Sequence, residues 1–274
     1  MALVFTAVDT TVLRLKGEDV VTYLQGQCTA DIRQTPSVHA LWLNRKGRVL
    51  AHTLVAAEPD GSFLLLAPHC QPADLISIIS ANLIADDVEV VDETQRWQRG
   101  IIWGQGQPEV SSSYKIFPSH RCGENNWELL SPLDFVSPWP LAEERLLEQN
   151  RVLTGVPSVP QDCGEQEFPQ ECGLEAWVSY QKGCYCGQEV MARIHAMGTL
   201  RRTLRRVSTS EAMVSLKTGL ELKNLIDHKV VGVVRSVSAH HGLALVSAEL
   251  TSGAILSSDL GPIVLGEKAT LVNS

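Results

Sequence analysis

The chain has 274 residues, 44 % apolar and 20 % charged, with a formal net charge of −8. That length can enclose a sizeable core in two or three domains, and the acidic balance excludes a protein that grips nucleic acid over its whole surface. No stretch approaches the roughly 18–20 apolar residues that span a bilayer, the start Met1-Ala2-Leu3-Val4-Phe5 lacks the basic flank of a signal peptide, and seven cysteines with no secretory mark read as free thiols, so a cytoplasmic protein is expected.

In chain order, residues 11–16 alternate and predict a strand, Gly17 breaks it, and residues 18–24 predict a short helix. Residues 38–44 and 48–57 predict a hairpin across the turn Asn44-Arg45-Lys46-Gly47. Residues 63–66 read as a strand, 72–84 as a helix and 87–91 as another strand. The order β-α-β-β-β-α-β is an α+β pattern, not a series of βαβ units. Farther on, 99–103 and 127–130 are strand candidates around a polar loop, and 141–152 is a helix that Gly155 and Pro157 end. Residues 156–170 read as ordered loop. Beyond Gly198 the strand-like runs 200–207, 230–237, 243–249 and 262–272, split by turn signals, suggest a small barrel. The expected division is residues 1–197 and residues 198–274.

The densest chemistry lies at residues 182–189, Lys-Gly-Cys-Tyr-Cys-Gly-Gln-Glu, with Arg193 close behind. A thiol is nucleophilic as its thiolate, which a nearby cation favours, so Cys184 with Lys182 is a candidate reactive pair. On the residues alone other readings stay open. One is a glycine-rich turn with inert cysteines. Another is a metal or redox pair made by Cys184 and Cys186, although C-x-C with Cys163 and Cys172 upstream matches none of the usual zinc or iron–sulfur spacings.

The string Lys-Gly-Cys-Tyr-x-Gly-Gln-Glu, then Arg193, Gly198 and Arg202, resembles the signature of the YgfZ-type folate-binding proteins, relatives of the glycine cleavage T-protein. The likeness extends to Gly17-Glu18-Asp19, residues 24–31, Arg45-Lys46-Gly47-Arg48-Val49, Phe168-Pro169-Gln170-Glu171 and Val231-Gly232-Val233-Val234, and is weakest over residues 95–140. The resemblance implies two intertwined α+β, ferredoxin-like subdomains and a C-terminal β-barrel around a central channel for tetrahydrofolate, including polyglutamylated forms. It implies a role in supporting iron–sulfur enzymes, among them those that modify tRNA, with no direct contact to nucleic acid or membrane. Glu171 is the expected pterin contact and Cys184 the expected essential thiol. Lys182 is expected to tune that thiol or touch folate, Tyr185 and Gln188 to belong to the folate-binding set chiefly by shaping the loop, and Arg193 to contact a ligand anion or brace the loop.

One departure matters. T-proteins carry an acidic pair in the hairpin after the glycine-containing turn, and this chain has Ala51 and His52 there. A histidine can exchange a proton but cannot supply a carboxylate's charge, so an accessory protein is favoured over an aminomethyl or methyl transferase. Trp177 and Tyr180 are candidate stacking or core rings. Among the residues 201–206, Arg201 and Arg205 share one strand face and could attract an anionic tail.

Overall fold

The computed structural model describes residues 2–209 and 215–271. Strand β1 (Val4–Ala7) comes first, then β2 (Thr10–Lys16), helix α1 (Val20–Gln27), β3 (Ser37–Leu43), β4 (Val49–Ala57), β5 (Phe63–Pro68), α2 (Pro72–Ser80) and β6 (Glu89–Asp92). The chain continues through β7 (Gln98–Trp103), β8 (Lys115–Pro118), β9 (Asn126–Ser131), α3 (Glu144–Thr154) and α4 (Gln188–Met197). It ends with β10 (Arg202–Thr209), β11 (Glu221–Lys223), β12 (Val230–Ser238), β13 (His241–Ser247), β14 (Ile255–Ser258) and β15 (Gly261–Lys268). Strands β1, β8, β11 and β14 are additions to the sequence reading. All are short, and a run of three or four residues is too brief to show a period. The last expected strand extends to Val272, which lies outside the described residues.

A five-stranded antiparallel sheet has the order β3-β4-β5-β2-β6, and a four-stranded one the order β1-β7-β9-β8. The chain starts in the smaller sheet, builds the larger one and returns, so the two α+β units are intertwined. The larger sheet is covered on both faces. Val20, Tyr23, Leu24, Leu75 and Ile79 of α1 and α2 pack with Trp42, Ala51, Val55 and Leu65 on one side. Val12, Leu54, Leu64 and Leu66 meet Leu130 of the smaller sheet on the other. Burial on both faces is why β4 and β5 read as nearly unbroken apolar runs.

Strands β10 to β15 close into a barrel in the order β10-β13-β12-β11-β14-β15, with its own core of Val207, Leu222, Val234, Val246, Leu256 and Ile263. Leu204, Leu243 and Leu245 of the barrel share a second core with Leu41, Val49, Leu174, Tyr185 and Met191. The loop and helix that carry the cysteine motif are therefore packed between the large sheet and the barrel. Among the described residues no helix is long and apolar enough to cross a membrane.

Candidate functional site

Alternation along a strand decides which side chains face the channel. In β4, Ala51, Thr53 and Val55 point to the helices, where Thr53 takes a hydrogen bond from Trp42 Nε1 at 3.0 Å. His52 and Leu54 then face the other way. Leu41 of β3 pairs with His52, which puts His39 and His52 on one face. Both line a cavity of about 470 Å³, together with His69, His120, Arg121, Arg151 and Trp177.

The indole of Trp177 stacks on His52 with centroids 4.0 Å apart and planes at 9°, and on His39 at 5.3 Å and 16°. His39 Nε2 lies 3.0 Å from the carbonyl oxygen of Pro118, and His39 Nδ1 lies 2.9 Å from His52 Nε2. A carbonyl oxygen can only accept, so His39 Nε2 carries a proton. Burial, with His120 adding to it, lowers the His39 pKa to about 3, so the ring is neutral and its Nδ1 is bare. His52 Nε2 must therefore donate to it. Burial and then His39 push His52 well below its ordinary value too, which leaves Nδ1 of His52 as a bare acceptor. His69 has an exposed side chain, and desolvation, with Arg121 adding to it, lowers its pKa to about 4. The aromatic wall is uncharged at neutral pH.

The charged groups around it are largely paired. Arg121 Nε donates to Glu128 at 2.8 Å and its Nη2 to Thr10 Oγ1 at 2.6 Å, while Ser119 Oγ holds Glu128 at 3.0 Å. Arg151, in the last turn of α3, donates to Glu148, to the Val156 carbonyl, to Asp162 at 2.7 Å and to Ser236 Oγ of β12 at 2.7 Å.

The motif loop is held by backbone. Lys182 is buried, and its ammonium donates to the carbonyls of Cys28 at 2.9 Å and Ala30 at 2.6 Å. Desolvation lowers its pKa, and the thiol that feels its charge is Cys28. Thr29, between those carbonyls, donates from Oγ1 to the Trp177 carbonyl at 2.6 Å, and its own carbonyl accepts from Ser179 N–H at 2.9 Å. Residues 28–30 thus fix both the motif loop and the tryptophan that walls the cavity. Gly187 has φ +83°, and a Cβ there would lie 2.8 Å from the Asn44 carbonyl oxygen and 3.3 Å from Gly47 Cα. Two backbone turns meet at that point, and only glycine permits the contact.

Cys184 is exposed and outside the cavity lining. Cys186 is a separate free thiol against Trp42 and Arg45; its pKa is raised by burial against a smaller opposing effect from Arg45. Tyr185 is buried in the core shared with the barrel, its pKa pushed up to about 12 by desolvation. Gln188 opens α4, with its N–H on the Tyr185 carbonyl at 3.2 Å. Arg193 forms an exposed pair with Glu189 at 2.8 Å, one turn earlier. Glu171 is buried, and its carboxylate accepts from Phe168 N–H at 2.9 Å, from Arg202 at 3.1 and 3.2 Å and from Arg48 at 3.5 Å. It is not among the residues that line the cavity. Arg205 is buried, with Nη1 on the Gly266 carbonyl at 3.0 Å, so it cannot face an anionic tail beside the exposed Arg201.

His39, His69, His120, Arg121 and Arg151 escaped the sequence reading. A usable signal existed for one of them. His39 is, like His52, a polar ring in a mostly apolar strand of the same predicted hairpin. Arg121 lies in the middle region where periodicity is weak.

No family model matches the chain. It is 25 % identical over 235 residues to the iron–sulfur cluster assembly factor IBA57 homologue, mitochondrial, of Cryptococcus neoformans, a match over 70 % of this chain and 62 % of that protein. It is 25 % identical over 254 residues to the tRNA-modifying protein YgfZ of Vibrio atlanticus, over 85 % of this chain and 78 % of that one. The solved structure of glycine cleavage system aminomethyltransferase T from Bartonella henselae superposes with a TM-score of 0.81 at 13 % identity, covering 97 % of this chain and 85 % of that one. The chain has the fold of the glycine cleavage T-protein, and the proteins it resembles in sequence are of the IBA57 and YgfZ type.

Proposed function

We propose that the chain is a cytoplasmic tetrahydrofolate-binding accessory protein that supports the assembly or maintenance of iron–sulfur enzymes, those modifying tRNA included, with Cys184 as its essential thiol. Residues 1–197 are the proposed folate-binding region and residues 198–274 the barrel domain. The observation that carries the reading is the neutral aromatic wall of Trp177, His52 and His39 in a cavity of about 470 Å³. That volume suits a small-molecule ligand, and a planar heterocycle with hydrogen-bonding edges suits stacked rings that end in polar nitrogens. The names of the IBA57 and YgfZ relatives supply the iron–sulfur and tRNA context.

In this reading Lys182, Tyr185, Gln188 and Glu171 act on folate through position. Lys182 bonds the carbonyls of residues 28 and 30, Glu171 bonds Arg202 and its own loop, Tyr185 fills the core, Gln188 opens α4, and Thr29 beside the Lys182 contacts holds Trp177. Arg193 steadies the helix start. A transferase would need a base in the cavity; of the carboxylates in its lining, Glu128 and Glu148 are held by Arg121 and Arg151, and Glu144 is exposed in the first turn of α3.

Anaerobic calorimetry with tetrahydrofolate tests the proposal. Wild type is expected to bind. Cys184→Ala is expected to bind equally well and to fail in restoring iron–sulfur enzyme activity to cells that lack the protein. No binding by wild type defeats the folate reading, and full restoration by the variant removes the thiol from the function.

A further inference from the structure

We infer that Thr29 is a positioning residue: its one hydroxyl sets Trp177 against the cavity and fastens the motif loop to the large sheet, so that ligand affinity and the order of the loop depend on the same group. Its effect on affinity rests on the folate reading above.

Helix α1 ends at Cys28, whose backbone is extended with φ −96° and ψ 161°. The last turn of the helix and the stretch after it lie against the motif loop, and their carbonyls hold it. The Gly26 carbonyl accepts from Cys186 N–H at 3.1 Å, and the Thr29 carbonyl accepts from Ser179 N–H at 2.9 Å. The carbonyls of Cys28 and Ala30 take the Lys182 ammonium. Residues 179–186 are therefore laid along backbone 26–30. The same stretch is tied to β3, where Thr29 N–H donates to the Leu41 carbonyl at 3.0 Å and Cys28 bridges Trp42.

Thr29 is fully buried. Its Oγ1 accepts from Leu41 N–H at 2.9 Å and donates its single proton to the Trp177 carbonyl at 2.6 Å. Both roles are forced, because an N–H only donates and a carbonyl only accepts. The hydroxyl thus joins β3, the strand of His39, to the residue whose indole stacks on His39 and His52. A valine of nearly the same shape would leave the Leu41 N–H and the Trp177 carbonyl unpaired in the interior, the costly way to lose a hydrogen bond. Relief comes from movement of Trp177 or of the 28–30 stretch. Ser179 is bonded to that stretch two residues beyond Trp177, so the wall and the loop shift together.

Wild type is compared with Thr29→Val and with Thr29→Ser, which keeps the hydroxyl. Tetrahydrofolate affinity, measured anaerobically, is expected to fall roughly tenfold in the valine variant, the order of one buried hydrogen bond lost, and to stay within about twofold of wild type in the serine variant. Without ligand, hydrogen exchange of the Leu41 and Ser179 amides is expected to quicken in Thr29→Val, while the amides of β13 in the barrel keep their wild-type rates. A merely structural role would weaken barrel and loop alike. Wild-type affinity in Thr29→Val, unchanged exchange at Ser179, or an equal loss in Thr29→Ser overturns the inference. Should the valine variant not fold, wild type decides: its Leu41 and Ser179 amides are expected among the slow exchangers, and rapid exchange at either overturns the inference. Failure of wild type to bind tetrahydrofolate removes the folate reading and the effect on affinity; the exchange measurement needs no ligand and still decides whether Thr29 holds wall and loop.

Discussion

Tyr185 shows how a motif letter can be structural. Its ring fills the core between the large sheet and the barrel, and its hydroxyl is buried without a hydrogen-bond partner among the described residues. A buried hydroxyl left unpaired costs about 1–3 kcal/mol, so Tyr185→Phe is expected to leave stability unchanged or raise it by about 1 kcal/mol, read as the midpoint of a denaturant titration. A loss of that size would reveal a bonded hydroxyl. At this scale the sequence showed which residues are unusual but not what they touch. Lys182 stands two positions from Cys184, and its ammonium reaches instead to carbonyls more than 150 residues earlier. Glu171, expected at the pterin, spends its carboxylate on Arg202, Arg48 and its own loop. Partners of this kind are set by tertiary packing, which spacing along the chain does not encode.

Among the elements, the hairpin of β3 and β4 does most to build the site. It was legible as two strand-like runs around Asn44-Arg45-Lys46-Gly47, and the two-residue period of a strand assigns His52 to the face opposite the helices. The turn that joins the strands is also what the motif loop packs on. Gly187→Ala is expected to destabilise the protein by more than about 2 kcal/mol, because a left-handed residue gains a Cβ against backbone. Gly183 is the control, with nothing within 4 Å of an added Cβ, and Gly183→Ala should be close to neutral. Denaturant titration of the two variants separates the outcomes, and similar losses in both would refute the backbone-contact argument. The smaller sheet was the least legible element. β8 is four residues long in a polar stretch, and its pairing with β9 depends on long-range contacts that no local pattern announces.

The whole molecule carries a pH signature from its cavity. His39, His52 and His69 all have folded pKa values below the ordinary 6.5, of which two are about 3 and about 4. Below pH 6.5 the unfolded chain takes up protons that the folded one refuses. The stability from these groups is therefore complete above 6.5 and is lost as pH falls toward the folded values. The buried His39 and His52 can each contribute up to about 1.4 kcal/mol per pH unit in that window, and the exposed His69 much less because solvent screens it. Melting temperature should be flat above pH 7 and fall steadily between pH 6.5 and 5, before carboxylates titrate. A flat profile over that range would mean that the histidines are solvated. The fold class was legible at this scale from the order of strands and helices and the change of texture near Gly198. The intertwining was implied by the family resemblance and not by any local pattern, because return to the first sheet is a fact of pairing between β1 and β7. One contact makes the barrel more than an addition to that framework. Ser236 of β12 completes the ring of acceptors around the buried Arg151 and also donates to Asp162 at 2.6 Å. A truncation that ended the chain before the barrel would strip a hydroxyl from each of two buried opposite charges beside the ligand wall. A gene that loses its last quarter thus spoils the chamber from within, even though every residue of the aromatic stack is still encoded.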